Sequence, residues 1–188
     1  MSSANVVQRV INLSLSLVGH MKGGLSQVVA VFSMFFSEMS GSTTADVAVM
    51  SRTLGVSMKK EGYEADYAVN VTTHAALVGA LMPTSHNLIL FTLATSGIAS
   101  VSVLGLILAG LVPALLLTLC NLGAAWWVAR QRGYATAGAF PGWSAVLAAF
   151  IASLPGLLVV VIILGGILSG AFTATESAAV AVGWALLV

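Results

Sequence analysis

No aspartate, glutamate, lysine or arginine occurs between positions 67 and 129, and none occurs between positions 133 and 175. A soluble core has no use for uncharged runs of that length, whereas a helix crossing a bilayer needs about 20 apolar residues in succession. Composition agrees: 59% of the residues are hydrophobic and 7% charged, against roughly 25% charged in an ordinary soluble domain, and the mean hydropathy is +1.03. The chain is read as an all-α integral membrane protein. Seven basic residues and a net charge of +1 leave no basic face for nucleic acid. Cys120, the sole cysteine, has no partner for an intramolecular disulfide and is expected to pack as a small hydrophobe.

Residues 1–22 place Val6, Val10, Leu13 and Leu17 at helical spacing, which predicts an amphipathic helix at the interface or against other helices. Residues 23–58 hold two apolar legs, each too short or too polar to cross alone, on either side of MSGSTT at 39–44. That pattern predicts a re-entrant helical hairpin whose irregular tip is buried in protein or lines a cavity. Residues 59–66, KKEGYEAD, form a charged cytoplasmic loop with Gly62 as the helix stop. Residues 67–95 are long enough to cross, but Gly79 and Pro83 fall in the middle. Proline removes a backbone donor and clashes with the preceding turn, so a broken transmembrane helix is expected, interrupted near 81–84.

A further transmembrane helix is expected over 98–129, ending at Trp126 and Trp127, with a cytoplasmic loop over 130–142. Residues 143–170 are expected to hold a spanning helix, with 143–154 either extending it or lying at the interface. Residues 171–188 read as the start of a second repeat, cut short. A hairpin that enters and leaves on one face puts Lys22, Lys59, Lys60, Arg130 and Arg132 together on the cytoplasmic side, as the positive-inside rule requires.

An ionisable group at membrane depth costs at least about 2.5 kcal/mol to insert, so each such group is a candidate site. Asp46 reads either as a charged ligand or as a helix partner, with Thr43 or Thr44 capping the return leg. Five consecutive small polar residues, Ser40, Gly41, Ser42, Thr43 and Thr44, supply hydroxyls and carbonyls that suit Na⁺. Glu38 is expected to line the hairpin's polar face, and His74 and His86, flanking the break, to hydrogen-bond to neighbours. Thr173, Thr175 and Glu176 follow SGAF, where Thr173 and Glu176 have the spacing of a capping box. No nucleophile elbow, phosphate-cradling glycine loop or metal-ligand spacing occurs, so an enzyme is not expected.

Six ordered motifs carry a resemblance: GGLSQV at 23–28, MSGSTTAD at 39–46, EGY at 61–63, GALMPTS at 79–85, AGLVPALLL at 109–117 and GGILSGAFTATESAAVAV at 165–182. Over nearly its whole length the chain resembles the large membrane subunit of tripartite ATP-independent periplasmic (TRAP) transporters. The resemblance implies one inverted repeat of an elevator-type, Na⁺-coupled symporter for organic anions such as C4-dicarboxylates, sugar acids or keto acids. It implies a multi-pass protein of the bacterial inner membrane, with Na⁺ as coupling ion and no other cofactor. Its implied partners are a small membrane subunit and a periplasmic substrate-binding protein. It places an ion and substrate site at the hairpin tip (Ser40, Gly41, Ser42, Thr43, Asp46) and at the broken helix (Gly79, Pro83, Thr84, Ser85), with a second-repeat contribution from Thr173, Thr175 and Glu176. Two departures stand out: Thr84 follows Pro83 where the family usually has two prolines, and Ala174 stands where it has a proline between the threonines. The first bears on ion coordination and substrate choice. Against the family pattern the chain is expected to lack the first helices and the second half, which makes a truncated, non-transporting membrane protein one alternative; a proton-coupled carrier using Asp46, Glu38 or His74 is the other.

Overall fold

The computed structural model describes residues 2–82, 85–95 and 102–187. In chain order these form α1 (Ser2–Val18), α2 (Gly24–Ser40), α3 (Thr43–Met50), a π turn (Ser51–Gly55), α4 (Val56–Lys60), α5 (Ala65–Ala76), a 3-10 turn (Leu77–Ala80), α6 (His86–Thr95), α7 (Val103–Arg132), α8 (Trp143–Leu168) and α9 (Ala174–Leu187). α1 buries Val10, Ile11 and Leu13 against α2 and α8. Of the two placements its amphipathic pattern permits, it takes the one against other helices.

Glycine ends α2 because only a residue without Cβ enters the left-handed region freely. Gly41 sits at φ 59°, ψ 12°, and its N–H donates to the Ser37 carbonyl at 2.9 Å. Extended Ser42 (φ −136°, ψ 112°) then starts α3, so the N-cap position belongs to Ser42 rather than to Thr43 or Thr44. The return leg runs helically through the π turn into α4 and stops at Gly62 (φ 84°), where Tyr63 N–H closes the end on the Met58 carbonyl at 3.0 Å. Phe32, Met50 and Met58, all fully buried, pack the two legs together in one core that also takes in α1 and α5.

After Ala76 the α pitch tightens into the 3-10 turn, and α-helix resumes at His86. The α-helix thus gives way four residues before the expected interruption, at Leu77. α8 is continuous through Pro155, so 143–154 extend the helix. The Pro155 carbonyl accepts from Trp184 Nε1 of α9 at 2.9 Å. Two helices are long and apolar enough to span among the described residues, 105–132 and 143–167, and only 22% and 17% of their apolar windows are buried. A soluble core helix would be buried; these present Val112, Leu119, Ile151 and Val161 outward. Cys120 is also exposed on α7, contrary to the packed position expected of it, because that part of α7 offers only one face to the rest of the chain.

The segment after α7 ties both ends of the hairpin together. Gly133 at φ 68° ends the helix, and the next residues meet the entry turn: Gly24 N–H donates to the Ala135 carbonyl at 3.4 Å and Ala137 N–H to the Gly19 carbonyl at 2.9 Å. At the exit, Tyr134 stacks on Tyr63 with ring centroids 4.2 Å apart, Glu64 N–H donates to the Tyr134 hydroxyl at 3.3 Å, and Arg132 pairs with Glu64. Burial, with Glu61 nearby, pushes the Tyr63 phenol up to about 12. A Cβ at Gly24 would press on Ala137 N and Gly19 O, atoms joined to each other across the glycine. Gly24→Ala is expected to cost about 1–3 kcal/mol through this overpacking, read as a lower melting temperature of the solubilised chain. An unchanged melting temperature would mean that the clasp does not hold the hairpin base.

Candidate functional site

At the far end of the hairpin a polar column runs through the buried interface between its legs and the broken helix. The last carbonyls of an α-helix are poorly served by their own helix, and Ala75, in the final turn of α5, also accepts from Ser33 Oγ of α2 at 2.5 Å. One turn further along α2, Ser37 Oγ lies 3.5 Å from Ser33 Oγ and donates to Asp46 Oδ2 at 2.5 Å. Ser40 donates its hydroxyl to the other carboxylate oxygen, and the same Ser40 Oγ accepts from Ser42 N–H at 3.3 Å. Ser33, Ser37 and Asp46 are fully buried. Among the described residues the Asp46 carboxylate meets no cationic side chain.

Gly79 closes this site from the broken helix. A Cβ there would stand 2.7 Å from Asp46 Oδ2, 3.1 Å from Ser37 Oγ and 3.2 Å from Ser37 Cβ. The glycine lets the 3-10 backbone lie directly on the carboxylate. The structure therefore brings together Ser40 and Asp46 of the hairpin tip with Gly79 of the break, while Gly41 and Ser42 shape the turn between the legs. Thr43 is the first residue of α3, and Ser42 Oγ lies 3.1 Å from Thr44 Oγ1. Asp46 lies in the first turn of α3, but its side chain reaches back to α2.

Ser85 is buried, and its hydroxyl accepts from Asn87 N–H at 3.3 Å, capping α6. Pro83 and Thr84, with the side chains of His86 and Thr175, lie outside the described residues. Glu38 is half-buried beside the tip. His74 takes the bland role expected of it, Nδ1–H donating to the Asn70 carbonyl one turn back at 2.8 Å. Thr173 and Glu176 satisfy each other at the start of α9: a Glu176 carboxylate oxygen accepts from Thr173 N–H and Oγ1, each at 2.8 Å, and Thr173 Oγ1 accepts from Glu176 N–H at 3.4 Å. This is the reciprocal capping box, and it sits on the α8–α9 turn.

Ser33 and Ser37 are the site residues that sequence reasoning missed. The signal was present: serines at 33, 37 and 40 step by four and three, so they share one helical face. It was hidden because serine binding its own helix's preceding turn gives the same spacing, as Ser14 does with the Val10 carbonyl.

The chain matches, over residues 1–188, the family model described as tripartite ATP-independent periplasmic transporter, DctM component. It is 35% identical to the sialic acid TRAP transporter large permease protein SiaM of Vibrio cholerae, over 99% of this chain and 42% of that protein. It is 38% identical to the C4-dicarboxylate TRAP transporter large permease protein DctM of the same organism, over 96% and 39%. To the 2,3-diketo-L-gulonate TRAP transporter large permease protein YiaN of Escherichia coli it is 30% identical, over 100% and 43%. The chain thus spans about two fifths of the length of these relatives.

Proposed function

The chain belongs to the DctM-component family of tripartite ATP-independent periplasmic transporters, and from that premise we propose that it forms part of the membrane subunit of a Na⁺-coupled symporter for organic anions. The observation that carries this reading is the buried Asp46 carboxylate, held by two hydroxyls where a hairpin tip meets a broken helix and facing no cationic side chain among the described residues. A charge withdrawn from water needs a counter-charge or a proton. Na⁺, a hard cation served by carboxylate, hydroxyl and carbonyl oxygen, fits the donor set offered here. Discontinuous helices meeting at such a point are how secondary carriers present backbone carbonyls and helix ends to ions and substrate.

On this reading the hairpin is re-entrant. α2 has 17 residues, about 26 Å at the α-helical rise, short of the roughly 30 Å hydrocarbon layer, and the two ends of the hairpin are tied to one loop. The protein sits in the bacterial inner membrane as a multi-pass subunit with the clasped, basic end cytoplasmic. It works with a small membrane subunit and a periplasmic binding protein that delivers the anion, and it carries no enzymatic activity. The names of its relatives, for sialic acid, C4-dicarboxylates and diketogulonate, support a carboxylate-bearing substrate.

A second reading, proton coupling, has one observation in its favour, the same carboxylate without a cationic neighbour. The test is uptake of labelled C4-dicarboxylate, sialic acid and diketogulonate by vesicles holding a complete transporter that includes this segment, under an imposed Na⁺ or proton gradient. Uptake is expected to follow Na⁺, with Ser42→Ala or Thr43→Ala raising half-saturating Na⁺ about fivefold, the size of one ordinary hydrogen-bond contribution. Uptake driven by protons alone would select the second reading. No uptake under either gradient, beside an active relative, would leave a non-transporting membrane protein.

A further inference from the structure

The return leg of the hairpin keeps one face exposed from tip to base. That face carries Ala45, Ala48, Arg52, Val56 and Lys59, at the spacing of a single helical stripe. Val56 is the one large hydrophobic residue exposed on this leg, whereas α7 turns Leu108, Val112, Leu115 and Leu119 outward. α7 thus offers a surface suited to acyl chains, and the return leg offers small and cationic side chains instead. At the helical rise Arg52 lies about 14 Å from Thr43 at the tip and about 12 Å from Lys60 at the base, so in the re-entrant hairpin it stands at membrane depth. Side chains lean toward the N-terminal end of their helix. For this leg that end is the tip, so Arg52 leans away from the basal headgroups. Among the described residues it makes no ion pair; the pair they contain joins Arg132 and Glu64.

We propose that Arg52 receives the carboxylate of the transported organic anion, on a water-filled path along this face between the hairpin tip and its cytoplasmic base, with Lys59 as the next cation along it. This deepens the organic-anion reading above and rests on it. A charged side chain at membrane depth faces the protein interior or an aqueous cavity and marks an ion or substrate path. The guanidinium fork matches the two oxygens of a carboxylate. Charge complementarity names the occupant: the cations at 52 and 59 stand about 10 Å apart along the leg, successive stations for an anion that moves past. Between this leg and α5 a cavity of about 200 Å³, whose lining includes Ser51, Gly55, Lys59 and Thr72, gives water room beside them.

The test uses vesicles holding a complete transporter that includes this segment, offered labelled C4-dicarboxylate, sialic acid and diketogulonate under an imposed Na⁺ or proton gradient. Arg52→Gln is expected to raise the KM of the anion taken up about tenfold or more, the loss of one charge-assisted contact. Half-saturating Na⁺, measured at saturating anion, is expected to stay unchanged, and Arg52→Lys, which keeps the charge and loses the fork, to give an intermediate KM. Arg52→Cys, in a transporter otherwise free of cysteine, is expected to regain uptake when aminoethyl methanethiosulfonate restores the positive charge. The sulfonatoethyl reagent, which adds a negative charge, is expected to restore nothing, and the transported anion to slow both modifications. An unchanged KM in Arg52→Gln, or an equal response to the two reagents, beside an active unaltered transporter would overturn this proposal alone and leave Arg52 to a carboxylate of the protein itself. No uptake by the unaltered transporter under either gradient would overturn the organic-anion reading and this proposal with it.

Discussion

Replacing Asp46 by leucine is expected to destabilise the hairpin by about 2 kcal/mol, because the buried Ser37 hydroxyl and the half-buried Ser40 hydroxyl lose their common acceptor and an unsatisfied buried group costs roughly 1–3 kcal/mol. The measurement is the melting temperature of the solubilised chain. Asp46→Asn keeps the shape and one acceptor oxygen, and serine hydroxyls can rotate to accept from the new amide, so it is expected to retain most of that stability while abolishing ion-driven uptake. Separating fold from ion binding in this way is what the pair of variants is for. Should leucine leave the melting temperature unchanged, the carboxylate is not what joins the two legs. Should asparagine leave uptake unchanged, Asp46 is not the charge that the coupled ion meets.

Gly79→Ala is expected to cost about 1–3 kcal/mol by overpacking and to suppress uptake as strongly as a change at Asp46. The added methyl would lie 2.7 Å from Asp46 Oδ2, and that oxygen is held by Ser37, itself within 3.1 Å of the methyl. Neither neighbour is the free end of a flexible chain, so the backbone of the 3-10 turn must lift away. A double-mutant cycle isolates the cause: in an Asp46→Ala background the closest contact is gone and only Ser37, at 3.1 and 3.2 Å, remains against the methyl, so the Gly79→Ala penalty should shrink. Equal penalties in both backgrounds would locate the cost in the 3-10 backbone itself.

Much of this was legible from local signals. Long uncharged runs announce a bilayer, MSGSTT announces a turn, and Gly62 announces a helix stop, since each rests on what a few neighbouring residues can do. The capping box of Thr173 and Glu176 was legible for the same reason, its partners being three residues apart. Ser33 and Ser37 were not, because a helical serine reads alike whether it bonds its own helix or another. The exposed Cys120 was misjudged because an apolar run does not say which of its faces is covered.

What the sequence by itself determined is the solvent and the punctuation: an apolar helical chain, a hairpin interrupted at MSGSTT, and a break in the helix that follows Tyr67. Only the tertiary structure decided that Gly79 lies on the Asp46 carboxylate, that Ala75 lends its carbonyl to Ser33, and that the loop after α7 binds both ends of the hairpin. The physical reason is range. Turns and breaks follow from backbone sterics within a few residues, whereas a buried carboxylate's partners depend on how helices distant in sequence are brought to lie side by side.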